Sequence, residues 1–197
     1  MGSFIKLRYG NTNTYYINGL LLDTDMPGTL QAFFREIKKC GVALSDIRFV
    51  MATHYHPDHM GLMGELAELG VRPVIFENQW ESVHYSDPIF ARQRGLSYRP
   101  LEEESALKLG LDVGRDFLRG LGIQGEIVPT LSHSPDGIAL ILDDGHCFVG
   151  DLEPMSFIPA YENNERLAKD WELILSLGAR EAHFGHINDQ DLTEASF

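Results

Sequence analysis

Thr53-His54-Tyr55-His56-Pro57-Asp58-His59 gathers three imidazoles and one carboxylate into positions 54 to 59, directly behind the largely apolar run 47–52. Packing alone has no use for such density, because each imidazole taken out of water needs a polar partner. Imidazole and carboxylate are the ligand types that suit zinc and related first-row metals, and metal-assisted hydrolysis requires a site that keeps coordination positions open. On an extended loop His54 and His56 point to the same side, so Asp58 and His59 can turn toward a second metal. The cluster can therefore serve two metals, each of which needs further ligands from elsewhere.

Outward from the cluster, Leu62, Leu66 and Leu69 repeat at helical spacing as far as Gly70, so the histidines sit in a strand-to-helix connection. Upstream, the short apolar runs 4–7, 14–17 and 20–22 are separated by Gly10-Asn11 and Asn18-Gly19, which predicts an antiparallel β-meander. Leu30, Phe33, Phe34 and Ile37 line one face of a helix that ends near Cys40-Gly41. Residues 74–76 read as a strand. The stretch 77–104 carries aromatics without a clean period and reads as a helix-containing flap over the site. The second half has a similar element order: strands at 125–129, 138–142 and 147–149, a helix over about 165–177, and a last strand at 181–184. That order predicts two sheets face to face with helices outside each, in a single domain covering 1–197.

Three more candidate ligands follow predicted strands: His133 in Ser132-His133-Ser134-Pro135-Asp136-Gly137, Asp151 in Gly150-Asp151, and His186 in Phe184-Gly185-His186. A strand end holds a side chain against an adjoining pocket, so these three are placed to complete the coordination begun by the cluster.

The pattern resembles the metallo-β-lactamase superfamily, whose signature is His-x-His-x-Asp-His followed at a distance by a histidine, an aspartate and a histidine. All seven positions have a match, and Asp23 matches the family's early Asp-Thr segment. The resemblance implies an α/β chain with the four-layer αββα fold, two mixed sheets between helices. It implies that His54, His56 and His133 bind one metal, that Asp58, His59 and His186 bind the other, and that Asp151 bridges them. The implied cofactors are two divalent ions, zinc first, with iron or manganese as alternatives. The implied activity is hydrolysis of a small acyl substrate by metal-bound hydroxide, with Asp58 orienting the hydroxide and carrying a proton to the leaving group. Asp23 is either an acceptor behind a ligand histidine or a solvated turn residue. Two departures stand out: the usual Gly-His-Thr-Pro-Gly is here Ser132-His133-Ser134-Pro135-Asp136, and Ile187 follows His186 where glycine is common. Neither removes a ligand, but loop geometry near the metals is expected to differ.

Composition narrows the function classes. Hydrophobic residues make up 44% and charged ones 23%, so the chain is neither disordered nor a membrane span, and cytoplasmic location is the default. A net charge of −13 opposes nucleic acid as a partner, although bound cations would still attract a small anionic substrate. The expected partner is a small molecule. Cys40 and Cys147 lack a C-x-x-C partner and read as reduced packing residues. His146 reads as a hairpin residue beside Asp143-Asp144-Gly145, and His183 as a packed residue within a strand. His84-Tyr85 reads as an exposed pair, while Tyr55 either lines the pocket or packs. Glu102-Glu103-Glu104 reads as a solvated charge run.

Within the family, some β-lactamases have cysteine at the second metal, whereas Asp151 stands here. Homoserine lactonases often carry tyrosine three residues after the bridging aspartate, a position that is Pro154 in this chain, with Tyr161 a substitute only by another loop path. Glyoxalase II enzymes append a glutathione-gripping helical domain, for which no segment follows His186. Redox members usually have glutamate where His56 stands. The readings left open are a hydrolase of a small ester, thioester or lactone, a phosphodiesterase of small substrates, and a non-hydrolytic metal-binding or redox member.

Overall fold

The N-terminal meander forms as the turns predict: β1 (Ile5–Leu7), β2 (Thr14–Ile17) and β3 (Leu20–Leu22) pair antiparallel in order. Asn18 and Gly19, with φ of 43° and 92°, make the left-handed two-residue turn whose twist suits a hairpin. The computed structural model describes residues 4–160 and 164–194, so Tyr161 lies outside the described residues. The chain divides into two units, residues 1–110 and 111–197.

In the first unit, helix α1 (Leu30–Lys39) buries Phe33 and Ile37 and leads to β4 (Phe49–Met51), which pairs parallel with β3. Pro57–Met60 forms a short helix α2, so Asp58 and His59 stand on its first turn rather than on an extended loop. Proline at the first helical position has no N–H to waste there and its fixed φ starts the turn. Helix α3 (Met63–Glu68) follows, then β5 (Arg72–Phe76), helix α4 (Asp87–Ala91) and β6 (Leu107–Leu109). The sheet order is β1-β2-β3-β4-β5-β6, antiparallel up to β3 and parallel beyond. Strand β6 has only three residues, Leu107-Lys108-Leu109 with Lys108 exposed, too short for its alternation to mark a strand in the sequence.

The second unit opens with helix α5 (Gly114–Gly120), also unmarked in the sequence by a long apolar stripe. Strands β7 (Gly125–Pro129), β8 (Ile138–Leu142) and β9 (His146–Gly150) form an antiparallel meander. Helix α6 (Glu165–Ser176) then crosses over to β10 (Glu181–Phe184), which runs parallel to β9, and a two-residue β11 (Gln190–Asp191) closes the order β11-β10-β9-β8-β7. The core of this unit packs Cys147, Val149, Ala182 and Phe184 from the sheet against Leu167, Trp171 and Ile174 of α6. Both cysteines are free thiols, and burial pushes the Cys147 thiol up to about 12. Two mixed sheets with helices match the α/β class predicted for the chain. Among the described residues, no helix is long and apolar enough to cross a membrane.

Candidate metal centre

In the first unit the histidine cluster is organised from behind by Asp23, which ends β3 with φ of 58° and is buried. Of the two readings left open for Asp23, the solvated turn residue gives way to an acceptor behind His59. Its Oδ1 accepts the Thr53 amide at 2.6 Å, while its Oδ2 accepts the Thr53 hydroxyl at 2.9 Å and lies 3.0 Å from His59 Nδ1. The Thr53 hydroxyl has one proton, and the carboxylate takes it. Its lone pair is then left for His54 Nδ1, 3.2 Å away. Both imidazoles thus carry their protons on Nδ1 and their lone pairs on Nε2, which is the tautomer that ligates a metal with an oriented ring. Thr24 fixes the same turn from its other side, with its amide and hydroxyl both donating to the His59 carbonyl, at 2.8 and 3.1 Å.

The rings crowd together. His54 and His56 have centroids 4.4 Å apart at 72°, and His54 and His59 are 4.2 Å apart. His56 stands just before the first residue of α2 and is half-buried, as is Asp58 within the helix. The 77–104 segment is tied to this loop by Gln79 Nε2, which donates to the Ala52 carbonyl at 3.0 Å, and by the Ser86 hydroxyl, which donates to the Tyr55 carbonyl at 2.7 Å. Tyr55 is fully buried and belongs to the core. Of the segment's aromatics, Phe90 is core and Tyr98 packs on it at 4.3 Å, whereas exposed Tyr85 stands 5.7 Å from the His56 ring. His84 pairs with Asp87 at 2.8 Å and Glu103 at 3.2 Å. Glu103 also pairs with Lys108, so the glutamate run is partly engaged.

In the second unit, His133, Asp151 and His186 come together at one end of the sheet. Asp151 follows β9 and His186 follows β10 by one residue, and these neighbours are parallel, so their carboxyl ends lie side by side, joined by the Gly185 amide on the Gly150 carbonyl at 2.7 Å. Parallel strands present their following loops at one edge, where α/β sheets place their sites. The two Asp151 oxygens address different imidazoles: Oδ1 is 3.3 Å from His186 Nε2, and Oδ2 is 3.9 Å from His133 Nε2. One carboxylate thus stands between two imidazoles. Asp170 on α6, itself buried, accepts the Ser132 amide at 2.8 Å and so holds the backbone beside His133.

The altered loop around His133 has its own solution. The Ser134 hydroxyl donates to Asp136, which is buried, and the Gly137 amide returns to the Ser134 carbonyl at 3.0 Å. A Cβ at Gly137 would meet the Thr130 carbonyl oxygen at 2.1 Å, so glycine is required there by backbone contact.

Sequence reasoning singled out all seven ligand candidates and missed Thr53 and Asp170 as supports. Thr53 beside a ligand run was a readable signal. Asp170 was not, since nothing in a helical pattern says which loop its carboxylate reaches.

No match was found among curated proteins. Solved structures do resemble the chain. TTHA1623, in a di-iron-bound form, is 24% identical with a TM-score of 0.61 over 95% of this chain and 93% of its own. The metallo-beta-lactamase family protein TTHA1429 from Thermus thermophilus is 22% identical with a TM-score of 0.60, over 97% of this chain and 75% of its own. BJP-1, a subclass B3 metallo-beta-lactamase of Bradyrhizobium japonicum, is 19% identical with a TM-score of 0.61, over 94% and 75%. At these identities the likeness speaks for the fold. The metallo-beta-lactamase superfamily model, however, matches residues 7–186, nearly the whole chain. By that match this chain belongs to the metallo-beta-lactamase superfamily, a family of metal-dependent hydrolases.

Proposed function

We propose that the chain is a dinuclear hydrolase of a small acyl compound, an ester, thioester or lactone, acting as one catalytic domain over residues 1–197. The observation that carries the reading is the hydrogen-bond chain from Asp23 through Thr53, which sets His54 and His59 in the ligating tautomer. His54, His56 and His133 would hold one ion and Asp58, His59 and His186 the other, with Asp151 shared. The donor set of nitrogen and carboxylate oxygen fits zinc, and the same donors accept iron or manganese. The di-iron form is a property of TTHA1623 and enters here only as a reason to measure iron as well. When bound, the two ions would supply a hydroxide at neutral pH and polarise the scissile oxygen.

The side chains divide the remaining work. Asp58, on the first turn of α2, orients the attacking water and passes a proton to the leaving group. Asp23 and Thr53 keep the histidines from rotating or changing tautomer. Tyr85, beside His56, offers an aromatic wall for an acyl group. The charge of −13 favours a small molecule over RNA and gives no attraction to anionic membranes.

Elemental analysis combined with a panel of chromogenic esters, lactones, thioesters and phosphodiesters tests the reading. Two metal ions per chain are expected, with ester or lactone turnover that chelation abolishes and zinc restores. Trace metal alone after reconstitution, or a phosphodiester preferred over every acyl compound, would overturn it.

A further inference from the structure

Sheet periodicity builds another cluster in the second unit. Glu181 and His183 are two apart on β10 and therefore share a face, and the parallel register sets Glu181 opposite His146 and His183 opposite Phe148 on β9. All four side chains stand on the face away from the α6 core. His146 Nδ1 lies 3.0 Å from His183 Nε2 and 3.4 Å from Glu181 Oε2, and one ligand atom from each residue lies within 4.8 Å of the other two.

We propose that His146, Glu181 and His183 form a further binding site for a single divalent first-row cation of the zinc class, separate from the seven-residue set. Three arguments carry this. The first is spacing: metal–nitrogen bonds of about 2.0–2.1 Å at tetrahedral angles put ligand atoms about 3.3 Å apart, close to the 3.0 and 3.4 Å found. A modest rotation of His146 satisfies both.

The second is orientation. Asp189 Oδ1 stands 3.2 Å from His183 Nδ1, so the ring's other nitrogen is the one turned toward His146. Phe148 stacks on the same imidazole at 4.9 Å and 26°, which fixes the ring plane.

The third is access and charge. Beside the cluster a cavity of about 430 Å³ is lined by Asp144, His146, Arg180, Glu181 and Asp191, three carboxylates against one guanidinium. A cation can enter there, and water can complete a fourth position. Two imidazoles and one carboxylate form the donor set of three-ligand zinc sites.

The test compares wild-type protein with His146→Ala and Glu181→Gln. Each is stripped with chelator, reloaded with excess zinc, desalted and analysed for metal, and each is loaded with cobalt to record its visible spectrum. Wild type should retain about one zinc more per chain than either variant and show cobalt bands that both variants lack, with hydrolase turnover unchanged in all three. Equal zinc content would overturn the proposal and leave a hydrogen-bonded histidine pair. Loss of turnover in parallel with zinc in both variants would overturn its separateness. Should His146→Ala fail to fold, Glu181→Gln, at a half-exposed strand position, decides alone. Because the readout is a difference between variants, it stands whatever the seven-residue set binds.

Discussion

Replacing Asp23 with asparagine should disable the metal centre while leaving the fold nearly intact. Asparagine tolerates the left-handed φ of 58° as well as aspartate does and keeps the side-chain volume. If its carbonyl takes the place of Oδ1, the Thr53 amide keeps its acceptor, but an NH2 now faces the Thr53 hydroxyl and His59 Nδ1. His59 Nδ1 must become an acceptor, so His59 carries its proton on Nε2 and is driven out of the ligating tautomer, whereas the Thr53 hydroxyl can still donate to the carbonyl that replaces Oδ1, 3.1 Å away, and leaves His54 as it was. The opposite flip sets the NH2 against the Thr53 amide and loses the shortest of the three bonds. Loss of one charge-assisted hydrogen bond costs about 1.5–3 kcal/mol, or a fall in Tm of about 3–12 °C for a chain of this size. Metal affinity should fall about 10–100-fold. Asp23→Ala is harsher: three orphaned donors at about 1–3 kcal/mol each should leave the protein poorly folded. The assay is zinc competition against a chromophoric chelator, with thermal melts of the apoprotein in parallel. An asparagine variant that melts lower but binds zinc within twofold of wild type would refute the tautomer argument.

Asp58→Ala should lower turnover by at least about 10²-fold with the melting profile retained, whereas His146→Ala should leave turnover unchanged. Equal impairment of the two, in steady-state kinetics on the best substrate, would remove Asp58 from its role. Gly137→Ala should cost about 1–3 kcal/mol by overpacking against the Thr130 carbonyl and should raise KM or lower kcat through the displaced His133 loop. A variant as stable and as active as wild type would show that the backbone yields there. Thiol labelling of the native protein at pH 8 should modify Cys40 first and leave Cys147 untouched, because burial holds its thiol protonated up to about 12 and denies the reagent access. Mass spectrometry showing Cys147 labelled at the rate of Cys40 would contradict the described core.

How much was legible follows from the kind of signal each feature leaves. The meander, α1, α3 and the strands of the second unit announce themselves because a buried face imposes period on the sequence and Asn18-Gly19 can only turn. Strand β6, helix α5 and β11 are short, so little apolar periodicity was there to read. The seven ligand candidates were legible for a different reason. Histidines at that density have no packing explanation, and His133, Asp151 and His186 each follow a strand.

What could not be read is direction. Asp23 and a solvated turn aspartate look alike in sequence, since only the tertiary path of β3 beside β4 brings the carboxylate under Thr53 and His59. His146 and His183 were read as a hairpin residue and a packed residue, and each description is locally correct: β9 begins at His146, and His183 is buried in β10. The pairing that makes them a cluster lives in the register between strands separated by the whole of α6. A crossover helix puts parallel strands side by side without leaving a trace of which residues will face each other. The same crossover sets Asp151 beside His186. One register therefore places a pair of candidate ligands just beyond the strand ends and a His-Glu-His group at the strand starts, and only the first stands where a residue after a strand draws notice in the sequence.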